Sequence, residues 1–381
     1  MIVIVGAGPV GCNTAIKLAE KGISSTIIEE HKVPGLPFQC AGLVSNNFFN
    51  VIKLPEQLIL NTINRAVLHF PEEVSVEFNG KAFVLDRVGF DKYLFEKAKE
   101  SGVKFLLDEK FESFAQRSGV IVSTNKRDVQ ADAIVGADGP SSLVGKQIGV
   151  SNNVIPAIQV RCKMECPQDT VELHFGQRFK EFFAWVIPEG KGICRVGLAG
   201  KENLPDRLRD FLKEKGVTKF IDRQGGLIPV DYHYDVVAYR ALLVGDAASQ
   251  TKATTGGGLT TGLICSEIAA DALKEGLDEE NLSKGFLDKH YNNVCYKKMG
   301  KELKKAYYIR KAFDIFTDKE FVEFGKVLRS TSFKNNLEKN VDMEMYSKFL
   351  KKAILHPKMF GFIIKFGIKH PKMFKDILSL L

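Results

Sequence analysis

The sequence predicts an α/β protein (an α+β composite). It comprises a Rossmann-like nucleotide-binding domain, an inserted antiparallel β-sheet domain and a C-terminal helical region. Three observations carry this. A short apolar run at the amino terminus enters a glycine turn and then a helical pattern; the middle of the chain alternates apolar and polar residues with period two; and from about residue 281 the pattern becomes helical and basic. The 381 residues suit roughly two to three domains. Hydrophobic residues at 45% and charged residues at 26% exclude a disordered, collagenous or coiled-coil chain. No apolar run reaches the roughly 18 residues of a membrane span, and no basic signal region precedes the first strand. Seven cysteines without any Cys-x-x-Cys pair lack the spacings of zinc ribbons and iron–sulfur clusters. They imply reduced thiols and a cytoplasmic protein. Residues 284–381 carry 22 Lys and Arg against 10 Asp and Glu, so the excess positive charge belongs to the tail. A nucleic-acid binder would be basic throughout.

Met1 to Val5 is the first strand, followed by Gly6-Ala7-Gly8-Pro9-Val10-Gly11 and a helix that stops at Lys21-Gly22. Thr26-Ile27-Ile28 is the second strand, and Glu29 follows 23 residues after Gly6. This is the dinucleotide-binding arrangement. Gly6 makes the tight turn, Gly8 lets the backbone approach a pyrophosphate, Gly11 permits close helix–strand packing, and Glu29 accepts ribose hydroxyls. An acid at that position favours FAD or NAD over NADP. Two further strands run into turns, at Ala131 to Ser142 and at Arg240 to Ala248. Thr254-Thr255-Gly256-Gly257-Gly258-Leu259 then opens an apolar helix. Two glycine turns so far apart suggest one extended cofactor held at both ends.

The combination of Gly6–Gly11, Val84-Leu85-Asp86-Arg87 with Phe90-Asp91, Gly136-Ala137-Asp138-Gly139 and Gly245-Asp246-Ala247-Ala248 resembles the para-hydroxybenzoate hydroxylase-type FAD superfamily. Within it, Pro37-Phe38-Gln39-Cys40-Ala41-Gly42, Phe183 to Pro188 and Thr255 to Leu259 resemble the archaeal geranylgeranyl reductases. The match runs from residue 1 to about 330. The resemblance implies FAD, with Glu29 at its ribose, Val10 over the diphosphate, Arg87 along the cofactor and the backbone of Phe111 near the adenine. Asp246 would bond the ribityl or diphosphate region, and Asp138 belongs with the same set. Cys40, Ala41 and Leu43 would pass the isoalloxazine, while Gly257, Gly258 and Leu259 would aim N–H groups at its pyrimidine edge. Asp246 as a helix cap and Arg87 as a surface ion pair are the plain alternatives. The implied domains are 1–50, 84–150 and 236–280 for FAD, 51–83 and 151–235 for the substrate sheet, and 281–381 for the helices.

Alternation at Ile158 to Met164, Val171 to Phe175 and Phe183 to Ile187 predicts half-buried antiparallel strands, with Val74 to Phe78 as another. Phe183 and Trp185 share a face, either as core or as the wall of an apolar channel for an isoprenoid chain. The implied reaction is saturation of carbon–carbon double bonds in geranylgeranyl chains of membrane lipids or their precursors. Cys40 is the candidate proton donor, a thiol kept protonated by apolar burial, or else a small packing residue. The electron donor is left open among NAD(P)H, a ferredoxin and a deazaflavin, an electron-donor protein included. An aromatic monooxygenase, a flavoprotein:quinone oxidoreductase and a non-catalytic lipid carrier are the rival readings. Two departures stand out: Phe183 replaces a frequent tyrosine, and Ala41-Gly42-Leu43-Val44 replaces a more acidic run. Cys162, Cys166 and His174 lack a fourth metal ligand, so no metal is expected, and Cys265 with Cys295 could pair. Near the end, His356-Pro357-Lys358-Met359-Phe360 recurs as His370 to Phe374, implying two short helices. Met373, Phe374, Ile377, Leu378 and Leu381 form an apolar stripe among Lys348, Lys351, Lys352, Lys358, Lys365, Lys369, Lys372 and Lys375. Such helices either pack on the body or rest peripherally on a membrane.

Overall fold

The computed structural model describes residues 1–36, 39–330 and 355–378, with side chains to residue 375. Pro37 and Phe38, Lys348, Lys351, Lys352 and Leu381, and the side chains of Ile377 and Leu378, lie outside the described residues.

Strand Ile2–Val5 is buried along its whole length because both faces of its sheet are covered. It sits inside a six-stranded sheet. Ser25–Glu29 and Lys104–Leu107 lie to one side; Ala133–Gly136, Ala241–Leu243 and the antiparallel edge strand Val237–Ala238 lie to the other. Helices Pro9–Glu20 and Leu259–Asp278 pack side by side on this sheet. A buried bond from Asn13 Nδ2 to Ser266 Oγ at 2.6 Å joins them. A three-stranded meander, Phe111–Gln116, Val120–Thr124 and Asp128–Ala131, contributes Val120 and Val122 to the same core.

The second sheet has eight strands, in the order Asp222–Pro229, Val154–Lys163, Ile193–Ala199, Ala184–Gly190, Thr170–His174, Ile59–His69, Ser75–Leu85 and Leu43–Ser45. Its neighbours are antiparallel except Thr170–His174 with Ile59–His69. Leu43–Ser45, expected in the cofactor region, therefore belongs to this sheet through Leu43 opposite Val84. The expected half-burial also changes. Helix Leu204–Glu214 places Leu204, Leu208 and Phe211 over the outer face, with Val160, Cys162, Val186, Cys194 and Val196 beneath. Residues 184–189 are consequently buried on both faces. Phe183 and Trp185 occupy the inner face.

Residues 284–315 run helically through two π-helical turns, Asp288–Asn292 and Tyr296–Gly300. Helix Asp318–Arg329 starts in a capping box of Thr317 and Glu320. The two His-Pro repeats each begin a helix at proline, Pro357–Lys369 and Pro371–Leu378. No helix among the described residues is long and apolar enough to cross a membrane.

Candidate active site

The first glycine turn is shaped as its residue types require. Gly6 has φ +103°, and a side chain there would strike Ala137 O at 2.4 Å. A Cβ on Gly11 would lie 2.1 Å from Gly6 O, so the helix is in contact with the strand turn. A Cβ on Gly8 would meet nothing within 4 Å, which leaves the backbone open to a ligand. Gly8 is the N-cap of helix Pro9–Glu20 and supplies no side-chain cap. Helix Leu259–Asp278 begins the same way at Gly258. Both helices thus retain uncapped N–H groups and a positive dipole end, the arrangement that favours an anion.

Val10 brings these two ends together. Its side chain lies 3.1 Å from where a Cβ on Gly245 would stand and 2.6 Å from one on Gly262. Glu29 Oε2 accepts the Ala7 N–H at 2.8 Å, while Oε1 accepts from His31 N at 2.9 Å, holding the carboxylate at the mouth of the turn. The Glu109 N–H donates to Glu29 O at 3.0 Å, so the segment leading to buried Phe111 runs beside Glu29. Asp246 Oδ1 accepts from Thr251 Oγ1 at 2.6 Å, and a Cβ on Gly258 would crowd both atoms at 2.8 Å. Burial pushes the Asp246 carboxyl above its ordinary value, with Thr251 and the charge of Arg87 opposing.

Arg87 is neither exposed nor at the surface. It is 8% exposed and pairs with Asp91 at 2.9 Å. Burial alone would lower its pKa, but Cys40 and Asp91 beside it hold it above the ordinary value. Asp138 is bonded within its own turn. Its carboxylate accepts Ser142 Oγ at 2.6 Å, Leu143 N at 2.7 Å and Val144 N at 3.2 Å, beside the N-cap Ser142 of helix Leu143–Gln147. It lies in the turn beside Gly6.

Cys40 corrects a second expectation. The thiol is not in apolar burial: it is half-buried, accepts the Gly42 N–H at 3.3 Å and lies within hydrogen-bonding reach of Arg87. The inner face of the large sheet closes over this loop. Ala41 and Leu43 pack in one apolar cluster with Phe183, Trp185, Ile187 and Ala253. Trp185 Nε1 donates to Gln159 Oε1 at 3.1 Å, and Gln159 Nε2 reaches Gln224 Oε1 at 2.6 Å and Cys40 O at 3.4 Å.

Several residues here went unread in the sequence. Arg195 is 2% exposed and donates to Ala41 O at 2.5 Å, to Leu85 O at 3.2 Å and to Glu189 at 2.8 Å. Its signal was a charge interrupting the apolar strand Cys194 to Leu198. Lys252, 6% exposed, brings its ammonium end beside Gly257. Phe183 also starts a run of ring contacts leading outward. Phe183 meets Phe175 at 5.5 Å, Phe175 meets Phe313 at 6.3 Å, Phe313 meets Phe316 at 5.3 Å, and Phe316 meets Phe366 at 5.1 Å. The column reaches helix Pro357–Lys369, whose other side exposes Phe360, Ile364 and Ile368. Among the described side chains the exposed stripe lies on the first repeat. Met373 joins the aromatic cluster and the Phe374 ring packs at Gly367, because the second helix folds back on the first.

Residues 4–70 match the family model for an NAD(P)-binding Rossmann-like domain. Digeranylgeranylglycerophospholipid reductase 1 of Methanopyrus kandleri is 30% identical over 318 residues, spanning 76% of this chain and 84% of that protein. The crystal structure of a geranylgeranyl bacteriochlorophyll reductase-like protein from Thermoplasma acidophilum superimposes with a TM-score of 0.85 at 21% identity, covering 100% of this chain and 98% of that one. A halogenase, PltM, solved in complex with FAD, shares the fold at a TM-score of 0.67 and 14% identity, covering 100% and 94%.

Proposed function

The chain belongs to the digeranylgeranylglycerophospholipid reductase family, and from that premise we propose that it saturates carbon–carbon double bonds of geranylgeranyl chains in membrane lipids or their precursors, with FAD as its cofactor. One observation carries the reading: Ala41 and Leu43, on the loop that carries Cys40, and Ala253, just before the second glycine turn, share a single apolar cluster with Phe183 and Trp185. A nucleotide cradle and a hydrocarbon surface therefore meet at the loop that carries this thiol.

The residues present fit FAD. The uncapped helix ends at Gly8 and Gly258 suit a diphosphate and the electron-rich edge of a flavin, and Glu29 suits a ribose. A bound, reduced flavin supplies hydride to one carbon of an alkene, and an unactivated alkene needs a proton on the other carbon. Cys40 is placed to deliver that proton from Sγ. The sulfur lies beside the Arg87 guanidinium and accepts the Gly42 N–H at 3.3 Å, which fixes its position. Arg195 fixes the Ala41 carbonyl and so holds the loop that carries the thiol. Phe183 and Trp185 hold the chain and exclude water, which gives the reacting atoms their orientation. The aromatic column from Phe175 to Phe366 is the route along which the remaining isoprene units would lie.

Dithionite-reduced protein mixed anaerobically with a geranylgeranyl lipid tests the reading and bypasses the choice of electron donor. Reoxidation of the flavin absorbance in step with lipid addition is expected; absorbance that stays reduced until oxygen enters contradicts it.

A further inference from the structure

Cys166 and Cys194 lie on the outer face of the large sheet, opposite the face that carries Phe183 and Trp185. Cys194 is buried in strand Ile193–Ala199, opposite Cys162 in register. Cys166 follows strand Val154–Lys163, in a turn that leaves it half-exposed. Their Sγ atoms are 2.7 Å apart, well inside the contact distance of two non-bonded sulfurs. The third thiol nearby is turned elsewhere, with Cys162 Sγ donating to Cys194 O at 3.7 Å.

The turn is held in this pose. Gln168 Nε2 donates to Cys166 Sγ at 3.3 Å and to Cys166 O at 3.1 Å, and Gln168 Oε1 accepts Gly192 N at 3.3 Å. The Asn61 amide donates to Gln168 O at 2.7 Å and to Pro188 O at 2.9 Å. Hydrogen bonding from Cys194 and Gln168 and the charge of Lys215 draw the Cys166 thiol below its ordinary value, against burial and Glu172, whereas Cys194 is pushed up. Lys215 Nζ sits 2.6 Å from Glu172 Oε2, the oxygen that His174 Nε2 approaches at 3.1 Å and His69 Nε2 at 3.7 Å. The cluster of His69, Glu172 and His174 thus already carries the protein's own cation where a metal ion would bind. A half-exposed sulfur whose thiol is drawn down, in contact with a buried one whose thiol is pushed up, is the pairing of an attacking and a resolving cysteine.

We propose that Cys166 and Cys194 are a redox-active dithiol, closed to a disulfide by a hydroperoxide and reopened by an external dithiol. Cys166 attacks one peroxide oxygen; the O–O bond breaks, water or an alcohol leaves, and Cys166 becomes a sulfenic acid. Cys194 then attacks the Cys166 sulfur, the S–O bond breaks, and water leaves as the S–S bond forms. Two thiols lose two electrons and the peroxide gains them. The inference stands on the outer face of the sheet and is independent of the lipid reaction.

The test treats the full-length flavoprotein with one equivalent of hydrogen peroxide, blocks remaining thiols by alkylation and maps the peptides. The expected result is a linked pair containing Cys166 and Cys194, lighter by two hydrogens, with the other five of the seven thiols alkylated. Dithiothreitol should restore both. Cys194→Ser should leave a sulfenic acid at Cys166 that a dimedone probe captures. Separate alkylation of Cys166 and Cys194 in the wild-type protein, or linkage only after Cys40 has been oxidised, would overturn the proposal.

Discussion

Cys40 has two kinds of neighbour, and they divide its role from that of the cofactor cradle. Its thiol touches Gly42 N and Arg87, while the glycine turns hold their shape without it. Cys40→Ala should therefore retain FAD and lose turnover by about 10²-fold or more, the range of a positioned proton donor. Flavin absorbance after gel filtration and the rate of lipid saturation together check this; full activity in the variant would remove Cys40 from the mechanism. Gly8 and Gly11 give a sharper contrast. A methyl group on Gly8 meets no protein atom within 4 Å, so Gly8→Ala should fold normally and lose flavin. A methyl group on Gly11 falls 2.1 Å from a carbonyl oxygen, so Gly11→Ala should lower stability by about 2–3 kcal/mol, as overpacking does. Urea unfolding of the flavin-free proteins separates the two.

Elements differed in how far the sequence disclosed them. The glycine turns were legible because only glycine satisfies a positive φ at Gly6 and a backbone contact at Gly11. The strand carrying Phe183 and Trp185 was legible as period two, but its burial on both faces depended on helix Leu204–Glu214, which no local pattern announces. Arg195 and the Cys166–Cys194 pair depended on sheet order, which brings residues far apart in the chain to one place. The bonds of Asp138 to Leu143 N and Val144 N were not legible, because a carboxylate in a glycine turn looks the same whether it bonds a helix start or a nucleotide. In the tail the repeat was correct; Phe374 faces Gly367, and among the described side chains of these two helices the exposed apolar row is Phe360, Ile364 and Ile368, the last 78% exposed. We propose that this row, with Lys358, Lys372 and Lys375 exposed on the same two helices, rests on an anionic bilayer. Flotation with anionic vesicles should fall at least several-fold for Ile364→Asp combined with Ile368→Asp; unchanged flotation would assign the helix to the body alone.

At the scale of the whole molecule, two sheets meet over one loop and the helical region closes the far end of the aromatic column. Its acid tolerance is set partly by the outer face of the large sheet. Burial, with His174 and Lys215, lowers His69 from the ordinary 6.5 to about 4, while Glu172 opposes. Below pH 6.5 the unfolded chain takes up this proton before the folded one can. The stability of the neutral imidazole is thus fully present above pH 6.5 and is lost as pH falls towards 4. Glu172 is lowered from 4.5 to about 2 by His174 and Lys215 against its burial. It adds a second loss between pH 4.5 and 2. His69→Gln should flatten the fall in melting temperature between pH 6.5 and 4, and an unchanged slope would exclude this site as its origin.

The central claim is that the cradle and the apolar sheet face act on one alkene. Mass spectrometry of a geranylgeranyl lipid after anaerobic incubation with the dithionite-reduced protein tests it most directly. The account predicts stepwise gain of hydrogen pairs, dependent on the protein and suppressed in Cys40→Ala. A lipid recovered with all its double bonds, from protein shown to hold reduced flavin, would contradict it.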